Sequence, residues 1–387
     1  MIPLVKDTID KSDIDSLISW LQTYPRLTKG EITEEYESKW AEFLGCQYAV
    51  FVNSGSSANM VMLYALMESG CLKQGDSVIV PAVSWATDLA PVVQLGLNPV
   101  LCDCNMNDLS VDLEDLEDKI KKHKAKCLIL VSVLGLVPNM TSVLDVCDRN
   151  EVLLLEDSCE SLGSKFKGQN LGTFGIMSSF STYFGHHIST IEGGMVCTNN
   201  RDMYNMVKCL RSHGWDRDLD EDKRVELRSG HDISDFESLY KFYHYGFNFR
   251  PTDLQAFIGM RQLEKADYVV KQRNKNYLLY CDTLGPPENL YWAPQAQDEN
   301  IYISNFAFPV IHPNRDEMVS DLQDNNIAVR PLICGSLELQ PFWKSSDDDV
   351  QQKNAKTIND LGFYVPNNHQ MSSKDISKVC DVIRKRL

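Results

Sequence analysis

The sequence predicts an α/β chain: a mainly parallel sheet clad by helices, followed by a smaller α+β C-terminal domain. Two observations carry this. From Tyr48 to Leu155, short apolar β-branched runs alternate with helical stretches, the pattern of strands joined by crossover helices. Beyond about residue 275 that alternation gives way to isolated strands among amphipathic helices. The expected division is a large domain over residues 1–260, with 1–30 as an N-terminal helix and entry segment, and a small domain over 261–387. A chain of 387 residues is long enough to bury two such cores.

Each element has its own signal. Ile9, Ile14, Leu17, Ile18 and Leu21 recur at helical spacing and predict a helix over 8–24. Pro25 and Gly30 break the chain, and Glu34–Leu44 is helical again up to Gly45. Strand-like runs follow at Tyr48–Val52, Ser77–Val80, Pro99–Asp103, Cys127–Leu134 and Val152–Leu155, with helices near 57–69, 86–95, 112–121 and 140–149. Ser178–Thr182 and Gly194–Thr198 read as two more strands, and 202–212 as a helix. The polar stretch 215–240 is almost wholly charged from Asp216 to Arg224 and reads as an exposed loop. A long helix over about 250–270 closes the large domain. In the small domain, Ala307–Ile311 and Ile327–Arg330 read as strands, 315–324 and 374–386 as helices.

Composition narrows the function classes. With 43% hydrophobic and 24% charged residues, the chain fits an ordinary globular protein rather than a disordered one. A net charge of -16 argues against nucleic-acid binding, which needs a basic face. No apolar run reaches the length of a membrane span, and Met1 to Asp10 lacks the layout of a signal peptide. The twelve cysteines are scattered, as expected for reduced thiols in the cytoplasm. Cys102-x-Cys104 is the one close pair; without a second pair it reads as strand packing, and no metal site is expected.

In parallel sheets ligands gather at the carboxyl ends of strands, and four predicted ends carry reactive residue types. Asn53-Ser-Gly55-Ser56-Ser-Ala58 joins a strand to a helix, as a phosphate cradle or a plain N-cap turn does. Glu156-Asp157-Ser-Cys-Glu160 puts three acids after an apolar strand. A buried carboxylate there needs a positive partner, such as a protonated ring nitrogen, unless it caps a helix. Trp85 follows another strand, either covering a flat ring or packing in the core. His186 and His187 follow a fourth. Sequence neighbours point apart, which disfavours a shared metal, whereas one neutral imidazole suits proton transfer.

Taken in order, Asn53–Ser57, Trp85, Glu156-Asp157, Ser181…His186…Gly193-Gly194 and Phe247-Asn248-Phe249-Arg250 resemble the DegT/DnrJ/EryC1/StrS sugar aminotransferase family over nearly the whole chain. The resemblance implies the fold-type I, aspartate aminotransferase-like architecture. It implies pyridoxal or pyridoxamine 5'-phosphate as cofactor and a homodimer with shared sites. It assigns Gly55, Ser56 and Ser181 to the cofactor phosphate, Trp85 to the ring face, Asp157 to the ring nitrogen and Glu160 to the ring hydroxyl. Asn248 would reach the phosphate bound by the neighbouring subunit. His213, Arg217, Arg250 and Arg330 are candidates for the sugar nucleotide or for glutamate.

The departure lies at residue 186. Aminotransferases of the family carry a cofactor-tethering lysine there; this chain has His186, and Lys165, Lys167 and Lys208 do not fit the slot. The substitution resembles the family's 3-dehydratases, above all those acting on GDP-linked 4-keto-6-deoxymannose. That likeness implies removal of the C3 hydroxyl of a nucleotide-linked keto sugar, with His186 as acid and base and L-glutamate restoring the amine form of the cofactor. Three rivals are an ordinary sugar aminotransferase, a CDP-linked 3-dehydrase and a non-enzymatic relative that binds the cofactor. The CDP-linked enzymes hold an iron–sulfur cluster on a cysteine set, but here Cys197 and Cys209 are followed by no cysteine until Cys281.

Overall fold

The computed structural model describes residues 1–286, 290–343 and 352–387; the other small-domain positions lie outside the described residues. The chain opens with α1 (Lys11–Leu21), capped by the Asp10 side chain, and α2 (Glu31–Leu44), ended by left-handed Gly45. Then come β1 (Tyr48–Val52), α3 (Gly55–Glu68), β2 (Ser77–Pro81), α4 (Ala86–Gln94), β3 (Asn98–Cys102) and α5 (Leu113–His123). They continue as β4 (Cys127–Val131), α6 (Met140–Arg149) and β5 (Leu153–Asp157). A small hairpin, β6 (Lys165–Phe166) and β7 (Gln169–Asn170), precedes β8 (Met177–Ser181), β9 (Gly194–Thr198) and α7 (Arg201–Arg211).

Seven strands form one sheet in the order β1-β9-β8-β5-β4-β2-β3. The pairs β2–β3, β2–β4, β4–β5 and β5–β8 are parallel, while β9 runs antiparallel to both β1 and β8. Every residue of β2 and β4 is buried, which is why both read as continuous apolar runs rather than alternating ones. The direction of β9 puts Gly194 opposite both Val52 and Ser181. The carboxyl ends of β1, β5 and β8 therefore share one edge with the start of β9.

The rest of the chain comprises α8 (Glu221–Gly230), α9 (Asp253–Leu284), β10 (Ile301–Tyr302), β11 (Phe308–Ile311), α10 (Arg315–Asp324), β12 (Arg330–Pro331), α11 (Lys353–Leu361), β13 (Gly362–Val365) and α12 (Ser373–Arg384). Strands β11, β13 and β12 make a second, three-stranded antiparallel sheet.

Several expectations need correction. The stretch 215–240 is not a loop throughout, because α8 occupies its middle. That helix buries none of its residues, so it has no apolar stripe for periodicity to detect. Ion pairs Arg228–Asp216 and Arg201–Asp222 tie it down instead. The strand read over Cys127–Leu134 stops at Val131; Leu134 turns to φ 52°, and its N–H donates to Glu160. The helix expected over 250–270 runs to Leu284, so position 260/261 falls inside it. Ile327–Arg330 is not a strand: Ile327 makes one isolated bridge to Ile2, and pairing with β13 involves Arg330–Pro331. The helix over 8–24 is shorter, Lys11–Leu21. Among the described residues, no helix is long and apolar enough to cross a membrane.

Candidate active site at the strand ends

The shared sheet edge draws the separate motifs together. Ser54 caps α3 by accepting the Ser57 N–H, so the turn is an N-cap. It is also a close-packed cradle. A Cβ on Gly55 would lie 2.8 Å from the Ser181 Cβ and 3.1 Å from the Cys159 sulfur. A Cβ on Gly194 would lie 2.3 Å from the Ser54 carbonyl oxygen. Ser56 is exposed at the first turn of α3, where free N–H groups and the helix dipole favour an anion. Gly55, Ser56 and Ser181 thus form one surface suited to a phosphate.

Asp157 ends β5 with its side chain buried. No helix follows, so it is not a helix cap; one oxygen accepts the Cys159 N–H at 2.9 Å. The other accepts from Asn59 at 2.7 Å. Glu160 accepts the Leu134 N–H at 2.7 Å, and burial pushes its carboxyl up to about 8. Trp85 stands at the N-cap of α4 and is 56% exposed, not packed in the core. These groups fit the cofactor named by the resemblance: an anion cradle, a carboxylate for a cationic nitrogen and an open aromatic face.

His186 sits on a loop closed by the Thr182–Gly193 backbone bond and the 2.5 Å contact between Thr182 Oγ1 and Thr190 Oγ1. Its N–H donates to the Tyr183 carbonyl at 2.9 Å, and its ring lies 5.3 Å from that of Phe306. Burial drives the imidazole down to about 4; the charge of Asp157 opposes this and that of Arg273 adds to it. A neutral ring with a buried, unpartnered Nδ1 results. His187 points elsewhere: its Nε2 bonds the Ser304 carbonyl at 3.1 Å in the core. Among the described residues, no cluster of three or more His, Cys, Asp or Glu could hold a metal.

The remaining candidates form a separate rim. His213 packs edge-on against Trp215 at 5.1 Å. Arg217 lies over the same indole at 4.1 Å and Arg250 at 5.5 Å. Arg217 also donates to the Leu239 carbonyl and lies over Tyr240. Asn248 is exposed, bridged through its backbone to Ser212. Arg330 sits on β12 opposite Tyr364, a phenol that burial and then the charge of Glu160 push up and that of Arg330 pulls down. Arg330 thus approaches the strand-end site from the second sheet.

Sequence reasoning missed Asn59, Asp88, Arg273, Phe306 and Trp215. Asn59 carried a usable signal, standing one helical turn after Gly55 on the same face. Arg273 carried none. It is buried on α9, donates to the carbonyls of Phe306 at 2.6 Å and Asn367 at 2.7 Å, and has no carboxylate partner among the described residues.

Comparisons with known proteins bear on the whole chain. The model of the DegT/DnrJ/EryC1/StrS aminotransferase family matches residues 7–384. A GDP-4-keto-6-deoxy-D-mannose 3-dehydratase of Yersinia pseudotuberculosis is 32% identical over 393 residues, 99% of this chain and 98% of that protein. The solved structure of the E. coli GDP-4-keto-6-deoxy-D-mannose-3-dehydratase with bound hydrated PLP superposes with a TM-score of 0.89 at 32% identity, covering 99% of each chain. A second solved GDP-4-keto-6-deoxymannose-3-dehydratase, with a trapped PLP-glutamate geminal diamine, gives a TM-score of 0.88 at 32% identity over 99% of this chain and all of that one. The chain therefore belongs to the DegT/DnrJ/EryC1/StrS aminotransferase family.

Proposed function

We propose that this protein is a pyridoxal/pyridoxamine 5'-phosphate-dependent 3-dehydratase. Its substrate is a nucleotide-linked 4-keto-6-deoxyhexose, GDP-4-keto-6-deoxymannose first among them, and L-glutamate restores the amine form of the cofactor. The observation that carries the reading is His186, an imidazole at the position where aminotransferases of the family bear their lysine. The nearby lysines are engaged elsewhere: Lys167 bonds Thr141, Lys208 bonds Tyr204, and Lys165 lies on β6. The relatives named above, which act on this sugar nucleotide, support the same reading.

The chain's own groups divide the work. When bound, the cofactor supplies an amine for the sugar ketone and a ring that takes up electrons. Gly55, Ser56 and Ser181 would hold its phosphate, and Trp85 would cover one ring face. Asp157 keeps the ring nitrogen protonated by charge. Glu160 retains its proton near neutral pH and offers it to the ring oxygen. His186, held neutral beside Asp157, would act as the base for the proton lost from the bound cofactor and as the acid for the departing C3 hydroxyl. The imidazole supplies acid and base functions but forms no covalent tether, so the amine form stays free for deoxygenation.

His213, Arg217, Arg250 and Arg330 are the cations proposed for the diphosphate or the glutamate carboxylate. We place the protein in the cytoplasm as a homodimer, with Asn248 serving the partner's phosphate site. Twelve free thiols suit a reducing compartment, and the exposed Phe236, Tyr240 and Tyr245 suit a covered face. The experiment is incubation with pyridoxal phosphate, glutamate and a panel of nucleotide 4-keto-6-deoxy sugars. A 3-deoxy sugar with 2-oxoglutarate and ammonia is expected. An amino sugar, or a protein–cofactor adduct fixed by borohydride, would replace the reading with an ordinary aminotransferase.

A further inference from the structure

A second carboxyl lies behind Asp157. Asp88, in the first turn of α4, is 0% exposed, more deeply buried than Asp157. Its Oδ2 accepts the Trp85 N–H at 3.1 Å, and its Oδ1 accepts from the Asn59 amide nitrogen at 3.0 Å. The same nitrogen donates to Asp157 Oδ2 at 2.7 Å. An amide NH2 carries two hydrogens, so Asn59 spans both carboxyls.

Helix capping accounts for only one of these contacts, the Trp85 N–H. It does not account for burying a second acid against the first, an arrangement that is unfavourable if both are charged. Two carboxyls sharing a site resolve this when one keeps its proton.

We propose that Asp88 is a positioning residue of the cofactor site, acting as a neutral acid. Through Asn59 it aims the Asp157 carboxylate at the ring nitrogen, and through the Trp85 N–H it anchors the backbone of the residue that covers the ring. This rests on the reading above that a pyridine ring binds beside Asp157. Burial and the charge of Asp157 both push the Asp88 carboxyl well above its usual range, and Glu160 adds to this. The thiols facing it, Cys159 and Cys334, are themselves pushed up by burial and stay neutral. Among the described residues Asp88 makes no ion pair, and only the Trp85 N–H pulls its carboxyl down.

The test uses the full-length protein loaded with pyridoxal phosphate carrying 15N at the ring nitrogen. The 15N shift and the visible spectrum are followed from pH 6 to 9 in the wild type, Asp88→Asn, Asp88→Ala and Asn59→Ala. Wild type and Asp88→Asn should hold the ring nitrogen protonated throughout. Asp88→Ala and Asn59→Ala should lower the pH at which it loses its proton by about one unit, a tenfold change. A wild-type 15N titration in both alanine variants would reduce Asp88 to a helix cap and overturn the proposal. An Asp88→Asn protein that titrates like the alanine variant overturns the neutral-acid assignment. If Asp88→Ala does not fold, Asn59→Ala decides alone, because it leaves the Trp85–Asp88 cap intact. Failure of the wild type itself to bind the labelled cofactor would sink the parent reading, a result distinct from any variant's.

Discussion

The strand-end site and the rim around Trp215 handle charge in opposite ways. At the strand ends, Asp88 and Asp157 are buried, Glu160 and His186 partly so, and their charges act on one another. There, desolvation sets the protonation of Asp88, Glu160 and His186. In the rim, Arg217 and Arg250 rest on the two-ring face of Trp215 and keep contact with solvent. The first arrangement makes reactivity, because a buried group responds to every neighbour in low dielectric. The second makes attraction for an anion with little internal strain.

The contrast can be broken first at His186. His186→Asn should lower kcat by ~10²–10⁴-fold while leaving the melting temperature near that of the wild type, since the residue is only partly buried. His187→Asn should do the reverse. Losing its bond to the Ser304 carbonyl destabilises the fold by about 1–3 kcal/mol, measurable by denaturant unfolding, with turnover retained. Equal loss of activity in both would erase the distinction between the two rings.

A second cut falls beneath the rim. Arg211 is fully buried, bonded to Glu37 at 2.5 Å and to the Phe51 carbonyl at 2.7 Å. Arg211→Met leaves Glu37 buried without its partner and should cost about 3–5 kcal/mol. Arg217→Ala and Arg250→Ala should leave the denaturation midpoint unchanged and raise the sugar-nucleotide KM a few-fold, more at low salt than at high. A fall in stability for Arg217→Ala matching that of Arg211→Met would mean the rim is structural.

The smallest effect is a titration. Burial depresses both His186 and His369 to about 4. Below pH 6.5 the unfolded chain therefore binds protons that the folded chain refuses. Their stabilisation is complete above pH 6.5 and is lost as pH falls toward 4. NMR of the cofactor-free protein should show the His186 ring neutral at pH 5.5, and thermal stability should decline between pH 6.5 and 4. A His186 titration near 6.5 would remove burial from the account of its basicity.

The site motifs were legible because each is local. Ser54-Gly55, Glu156-Asp157 and the His186 loop sit within a few residues of a strand end, and a strand end is visible in the apolar run before it. The partners were not legible. Asn59 meets Asp157 across 98 positions and Arg211 meets Glu37 across 174. Nothing in a local pattern marks either pairing. Helix α8 escaped notice for a different reason, since its ion pairs leave no hydrophobic period.

Amino-acid order alone determined the alternation of strands and crossovers, the order of the motifs and the histidine at position 186, because these are properties of neighbours along the chain. Only the tertiary structure decided that His186 lies beside Asp157 while His187 turns to the Ser304 carbonyl in the core, or that Asn59 joins two acids. Those outcomes depend on desolvation and on groups far apart in sequence, and neither quantity exists until the sheet edge has been assembled.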